Sequence, residues 1–140
     1  LDNTEVKKYP DRELNHYIEF NSDQLDQTAK QYGVSREDML KQYDLDDEDE
    51  FNAVNEDSSK LRVKQEMLIQ YIADKENLSY TDKEKEALIK SFEAQGYDAD
   101  AIEQQTGRTL EDYVHIELLY EKVLDFLLDN ANITGAPTTE

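Results

Sequence analysis

The most apolar segment of the chain is residues 113–128, YVHIELLYEKVLDFLL, in which eleven of sixteen positions are apolar. Four acidic residues from Glu117 to Asp129 recur every four positions, which places them on one narrow face of a helix. The other faces are apolar, as is typical of a helix surrounded by the rest of its protein. We therefore expect this helix to be the centre of the core, and Leu124→Ala to cost about 2–5 kcal/mol.

Two long helices with narrow apolar stripes are predicted upstream. The first begins at Pro10, whose missing N–H has no cost at the first helical position, and ends at Gly33, a favoured left-handed cap. The second covers about residues 47–76, where mostly apolar positions alternate in steps of three and four, as in a coiled coil. That seam consists of Phe51, Val54, Ser58, Leu61, Gln65, Leu68 and Ile72. We expect its first half to pack along the first helix and its second half to enter the core.

Shorter helices are indicated by capping patterns. Ser35 opens a variant of the capping box and Thr81 a regular one, whose helix ends at Gly96. A small helix is expected around Ile102, and Thr109 begins the final helix. No segment alternates strictly between apolar and polar residues, as a strand would. The predicted fold is all-α, an extended multi-helix domain with long helices and helical arms.

The chain of 140 residues fits one domain. Residues 1–8 are interpreted as a linker from an upstream domain, residues 9–134 as the helical domain and residues 135–140 as a flexible tail. Because the chain begins with leucine, we expect it to be a piece of a longer protein.

The amino-acid composition restricts the classes of partner that the chain is expected to bind. The net charge of −19 argues against nucleic acid, which needs a basic face, and against anionic membrane surfaces. It is compatible with cationic or unfolded protein partners. The absence of cysteine excludes disulfides, thiol catalysis and thiolate metal sites.

No catalytic, cofactor or metal site is predicted. The two histidines, His16 and His115, have no ligand spacing around them. The acidic run at residues 44–50 resembles a calcium loop only superficially, because Asp49 and Asn55 stand where an EF-hand needs glycine and glutamate. We interpret this run as a turn followed by the acidic start of a helix.

Aromatic and methionine side chains on the thinly apolar helices are the candidate binding residues, because such side chains adapt to varied partners and exposed apolar patches usually bind something. The set is Tyr17, Phe20, Tyr32, Met39, Tyr43 and Phe51. The alternative is that they only complete contacts between helices. If they bind, Met39→Ala and Tyr43→Ala should weaken binding and hardly affect stability.

Four segments, in order, resemble the C-terminal chaperone domain of trigger factor, in its Firmicutes trigger-factor-like variants. A long polar helix opens at Tyr9-Pro10 and ends at Tyr32-Gly33. The other three segments are LRVKQEMLIQYIADKENLSYTDKE (61–84), SFEAQGYDADAIEQQTGR (91–108) and ELLYEKVLDFLLDNANIT (117–134). The resemblance implies a fold like that of trigger factor and SurA, whose arms hold unfolded or nascent polypeptide without nucleotide. The acidity of residues 44–50 departs from the family's general pattern.

The resemblance also implies what this chain lacks. The prolyl isomerase domain and the ribosome-docking domain are not in this sequence, so the chain itself is not expected to be an enzyme, and the ribosome would be reached only through a missing N-terminal domain. The expected compartment is the cytoplasm, with an exported foldase of the cell envelope as the alternative. Two other functions stay open: substrate delivery to the isomerase domain, and a structural module that forms a homodimer.

Overall fold

The computed structural model describes residues 4–131 and contains six α-helices and no strand within them. The predicted all-α fold is confirmed. The helices are α1 (Asp11–Tyr32), α2 (Arg36–Gln42), α3 (Glu48–Glu76), α4 (Asp82–Ala94), α5 (Ala99–Thr106) and α6 (Leu110–Asp129). The predicted tail at residues 135–140 lies outside the described residues, and the division into linker, domain and tail stays a prediction.

The chain forms two compact units, an N-terminal unit of Leu1–Met67 and a C-terminal unit of Leu68–Glu140. The first contains α1, α2 and most of α3, and the second contains the end of α3 with α4, α5 and α6.

Local capping chemistry sets most helix boundaries. Four side chains accept a hydrogen bond from the backbone N–H three residues later, and these are Ser35, Thr81, Asp98 and Thr109. At Thr81 the capping box is complete, because the side chain of Glu84 also accepts from the Thr81 backbone N–H. Helix α1 ends at Gly33 with φ of 67°, a conformation in which glycine carries no steric penalty.

The core of the N-terminal unit lies between α1 and α2. Its buried side chains are Leu25, Ala29, Met39 and Leu40, and Val34, Leu45 and Phe51 pack against them. A neighbouring buried residue is Tyr17, whose hydroxyl donates to Glu66 at 2.8 Å and whose ring lies 4.0 Å from the Arg62 guanidinium carbon. Together these contacts join α1 to α2 and to α3.

The seam predicted on α3 is wrong in its middle part, between Val54 and Leu61, although Phe51 and Ile72 at its two ends pack against the cores. Asn55, Ser59 and Val63 are buried, whereas Val54 and Leu61 are 53% and 50% exposed. The reason is that α1 meets α3 partly through polar side chains, which a search for apolar periodicity passes over.

The polar contact between α1 and α3 centres on two asparagines. Asn21 Nδ2 donates to Asn55 Oδ1 at 2.8 Å and to Ser59 Oγ at 3.3 Å. Asn55 Nδ2 in turn donates to the Ile18 carbonyl at 2.9 Å. Both polar atoms of the buried Asn55 amide are therefore hydrogen-bonded, as a buried amide requires.

The core of the C-terminal unit lies where α6 meets the end of α3. Ala73, Leu119 and Val123 are buried together, with Ile69, Ile72, Leu78 and Tyr80 packed against them. Helices α4 and α5 also pack on α6. Charged pairs join α4 to α6, with Lys122 Nζ donating to Glu84 Oε1 and Lys85 Nζ to Glu111 Oε1.

The predicted central role of α6 holds for one side of the helix only. Val114, Leu118, Leu119 and Val123 are buried, but Leu124 is 42% exposed. The expectation that Leu124 belongs to the core is therefore wrong. Neighbouring helices cover the side of α6 that carries Leu119 and Val123. The apolar residues of α6 extend further around the helix than this covered side, so some of them stay exposed.

His115 has a structural place in the C-terminal unit. The Tyr80 hydroxyl lies 2.7 Å from its Nδ1, and Gln70 Oε1 lies 3.3 Å from its Nε2. Because an amide oxygen only accepts, Nε2 donates to Gln70, and in the neutral ring Nδ1 then accepts from the Tyr80 hydroxyl. This chain of hydrogen bonds joins α3 and the segment before α4 to α6.

Candidate functional site

A groove of about 450 Å³ opens in the N-terminal unit between α1 and the first half of α3. Each helix contributes four lining residues at the spacing i, i+3, i+4 and i+7, which places them on one face of that helix. The connection between α2 and α3 supplies two more. The lining consists of Asn21, Gln24, Leu25 and Thr28 from α1, Phe51, Val54, Asn55 and Ser58 from α3, and Tyr43 and Leu45 from the connection.

None of these ten lining residues is charged, although 35% of the chain is Asp, Glu, Lys or Arg. Five are apolar or aromatic, and the other five carry amide or hydroxyl groups. In so acidic a chain, this concave surface combines apolar side chains with neutral hydrogen-bonding groups. Such a mixture is typical of binding pockets.

The turn after α2 brings Tyr43 and Leu45 to the groove. Asp44 adopts a left-handed conformation with φ of 57°, which aspartate tolerates better than most residues. The backbone N–H of Leu45 donates back to the Leu40 carbonyl at 3.0 Å and closes the turn. The run of acidic residues therefore begins with a turn, as predicted, and that turn also positions two groove residues.

The six residues predicted from sequence to bind are not all in one place. Tyr43 and Phe51 line the groove. Tyr32 is exposed at the end of α1, outside the groove lining, and Phe20 is half-buried. Their role in binding stays a prediction.

Tyr17 and Met39 are buried, at 1% and 2% exposure, so this structure offers no surface of either side chain to a partner. Because Met39 packs with Leu25 and Leu40, we now expect Met39→Ala to destabilise the N-terminal unit. The methionine and aromatic content of a segment does not show which of these side chains face the interior of the protein.

Sequence reasoning missed most of the groove lining. A signal was present: Asn21 and Thr28 interrupt the apolar stripe of α1, and Ser58 interrupts the predicted seam of α3. These small polar residues lie on the faces that form the groove.

A second apolar surface lies on α6 in the C-terminal unit. We call it the α6 stripe, and it consists of Tyr120, Leu124, Leu127 and Leu128, all exposed. Their spacing of i, i+4, i+7 and i+8 places them on one face of the helix. The acidic line that begins at Glu117 runs beside this stripe. Exposed apolar stripes of this kind mark interaction sites.

Among residues 4–131, no group of three or more His, Asp or Glu side chains is arranged to hold a metal ion. No helix in the same range is long and apolar enough to cross a bilayer.

Over residues 1–129 the sequence matches the family described as Bacterial trigger factor protein (TF) C-terminus. This chain belongs to that family. The family is the C-terminal, chaperone-related part of trigger factor and not its prolyl isomerase domain. The resemblance inferred from sequence is therefore confirmed.

Two relatives show the same relationship. The chain is 31% identical to the trigger factor of Bacillus licheniformis over 108 residues, which is 76% of this chain and 25% of that protein. It is 29% identical to the trigger factor of Bacillus mycoides (strain KBAB4) over 109 residues, 77% of this chain and 25% of that protein. The chain thus spans about a quarter of the length of these curated relatives. No solved structure matches the chain significantly.

Proposed function

We propose that this chain holds unfolded or nascent polypeptide segments, here called clients, in the uncharged groove of its N-terminal unit, without nucleotide. The observation that carries the proposal is the groove lining, which combines Leu25, Phe51 and Val54 with neutral amides and hydroxyls in a chain of net charge −19. Membership of the trigger factor family supports a chaperone role for the module.

The groove suits a client whose sequence is not fixed. Apolar client side chains lose water against Tyr43, Leu45 and Phe51, and this contributes roughly 25 cal/mol for each Å² of apolar surface buried. The unpaired N–H groups of an unfolded backbone can donate to the side-chain oxygens of Asn21 and Ser58, whose own donors already bond within the protein. Ordering of the client opposes both gains. The result is weak, reversible binding with little sequence preference.

The α6 stripe is a second place where a client can bind. Leu124, Leu127 and Leu128 present aliphatic surface, and Tyr120 adds an aromatic ring with a polar end. An apolar cluster of an unfolded segment can lose water against this stripe, as it does in the groove, which gives a second weak and reversible contact.

The longer protein to which this chain would belong is part of the same proposal. A nascent chain would be met at the ribosome through a separate N-terminal domain, and the compartment would be the cytoplasm. Neither the ribosome nor the cytoplasm is needed for the groove to bind a client in solution.

Suppression of aggregation tests the proposal. A chemically denatured model protein is diluted into buffer with the 140-residue chain at several-fold molar excess, and light scattering is followed. The native chain should reduce the scattering. Val54→Asp places a charge in the groove and should raise the chain concentration needed for half-suppression by about tenfold, equivalent to about 1.4 kcal/mol.

Leu61→Asp is the matched control for Val54→Asp. Leu61 lies on the same helix, in the same unit and at nearly the same exposure as Val54, but it does not line the groove. It should suppress aggregation like the native chain. The proposal loses its basis if the native chain leaves scattering unchanged, or if both variants lose the activity equally.

A further inference from the structure

Arg36, the first residue of α2, connects the two helices that form the walls of the groove. Its Nε and Nη2 donate to the two carboxylate oxygens of Glu48 on α3, at 2.6 and 3.1 Å. Nη1 donates to Asp26 Oδ1 at 2.8 Å and to the Ser22 carbonyl at 3.2 Å, both on α1. Nη2 also donates to Ser22 Oγ at 3.2 Å. One guanidinium thus bonds to α1 and α3 at the same time.

The same guanidinium lies 5.1 Å from the ring centroid of Phe51, a residue that lines the groove. Phe51 follows Glu48 by three positions, so the ion pair and the ring contact lie on one face of the first turn of α3. On α1, Ser22 and Asp26 each follow a groove residue directly, Asn21 and Leu25. The partners of Arg36 are therefore next to the lining on both walls.

We propose that Arg36 is the positioning residue of the groove: it fixes the spacing of α1 and α3 and the place of the Phe51 ring, and through them it sets the affinity for clients. The inference about affinity rests on the function proposed above. Arg36 itself is not among the lining residues, so its effect on a client is indirect.

Charge explains why a cation is needed here. Without Arg36, the carboxylates of Asp26 and Glu48 would face the same space with no cation between them, and like charges repel at this range. The hydrogen bond to Glu48 is the main reason that the pKa of Arg36 lies above its ordinary value, and Asp26 adds to it. A guanidinium is protonated in proteins in any case, and these two carboxylates favour the charged form further.

Shape explains why the cation is arginine. The planar guanidinium presents donors in a fixed fork, which matches a carboxylate with two parallel hydrogen bonds and leaves another edge for α1. A lysine ammonium is a single point that can turn toward Glu48 or toward Asp26, and it offers no flat surface to Phe51. Arg36→Lys therefore keeps the charge but loses the connection between the walls.

The experiment combines a distance with a binding constant. The chain has no cysteine, so two can be introduced for spin labels at exposed positions outside the groove lining, Gln27→Cys on α1 and Asn52→Cys on α3. The distance distribution between the labels is measured by pulsed electron paramagnetic resonance. Client affinity is measured on the unlabelled chain with a reduced, carboxymethylated protein that stays unfolded.

Arg36→Lys should broaden or shift the distance distribution and raise the Kd for the carboxymethylated client by about tenfold, as for the loss of hydrogen bonds between charged groups. Arg62→Lys is the matched control. Arg62 also contacts α1, through the ring of Tyr17, but Arg62 and Tyr17 each lie ten residues along their helix from the labelled position, and neither Arg62 nor Tyr17 lines the groove. It should leave the distance distribution and the Kd unchanged.

Thermal midpoints and a second variant distinguish a positioning role of Arg36 from a general loss of stability. Arg36→Lys should lower the thermal midpoint no more than Arg62→Lys does, while only Arg36→Lys weakens binding. Glu48→Gln, which retains Arg36 but weakens its contact with α3, should change the label distance in the same way as Arg36→Lys.

The outcomes are distinct. A native distance distribution in both Arg36→Lys and Glu48→Gln would overturn the positioning role, and so would a changed distance with a native Kd. If the native chain does not bind the client at all, the proposed function fails, whereas the label distances, which need no client, still decide whether Arg36 sets the spacing of the walls.

Discussion

Residues 119 and 124 are both leucines of α6, yet only one of them belongs to the core. Leu119 is 4% exposed and packs with Ala73 and Val123, whereas Leu124 belongs to the α6 stripe. The difference follows from their positions around the helix, since five residues correspond to a rotation of about 500°, or 140° beyond a full turn. One leucine stabilises the fold, and the other contacts solvent.

The two leucines give a direct test of this division. Leu119→Ala should lower the free energy of unfolding by about 2–5 kcal/mol, because it leaves a cavity among buried neighbours. Leu124→Ala should lower it by less than about 1 kcal/mol, since the side chain already contacts water. Chemical denaturation of both variants measures the two values. Equal losses would show that the α6 stripe is covered in solution.

The sequence could identify α6 as the most apolar helix but not the side that is covered. Its apolar residues occupy most of the circumference, so periodicity does not separate Leu119 from Leu124. Met39 presents the same difficulty on α2, where a helix of seven residues is too short for a periodic pattern. Burial at such positions depends on neighbours that are distant in sequence.

Among the helices, α1 and α3 are joined in part by polar side chains, which the periodicity of apolar residues does not reveal. Asn55 is 3% exposed, and its amide bonds to Asn21 and to the Ile18 carbonyl. A buried amide network of this kind favours one register between two helices, because a shift would leave its members without partners.

Asn55→Ala should therefore destabilise the N-terminal unit by about 1–3 kcal/mol, the cost of leaving the Asn21 and Ile18 groups without their partner. Asn52→Ala, on an exposed position of the same helix, should change stability by less than about 0.5 kcal/mol. Thermal or urea unfolding of the two variants makes the comparison. A loss of similar size in both would contradict the role of the buried amide network, and helix propensity would not explain it, since alanine favours a helix more than asparagine does.

Between α4 and α6, Glu84 gives the C-terminal unit a defined response to acid. The hydrogen bond from Lys122, followed by those from the backbone and side chain of Thr81, lowers the pKa of Glu84 from 4.5 to about 2. A folded-state pKa below the ordinary value means that the carboxylate stabilises the fold above pH 4.5. This contribution is lost as the pH falls toward 2.

Glu84→Gln should accordingly flatten the fall in the free energy of unfolding between about pH 4.5 and 2, the two pKa values of Glu84. Glu86→Gln, at an exposed position of α4, should leave the native pH dependence in place. Urea unfolding at several pH values gives both curves. If Glu84→Gln follows the native curve throughout, the contact with Lys122 does not persist in solution.

Helix ends were more predictable than helix faces. Ser35, Thr81 and Thr109 cap helices as the sequence indicates, because a cap depends only on residues within one turn. The face that α3 turns toward α1 depends on Asn21, thirty-four residues before Asn55. Capping by residues within one turn determines where a helix ends, whereas the face that a helix buries is determined only in the folded chain.

At the scale of the molecule, the groove is set apart from the acidic excess of the chain. The chain carries 34 acidic and 15 basic residues, yet the groove lining contains neither kind. The family could be inferred from the order of long segments along the chain, whereas the groove could not, since its ten residues come from three separated stretches. A high net charge favours solubility in a chain that exposes apolar surface.

The most direct test of the account is nuclear magnetic resonance on the isotope-labelled chain, 16.3 kDa in mass. The chain is titrated with the reduced, carboxymethylated client, and the backbone amide signals are followed. The signals of Tyr43, Leu45 and Val54 should shift or broaden as the client is added, while the signal of Leu61 should stay in place. Unchanged groove signals at a client concentration that saturates binding elsewhere on the chain would contradict the account.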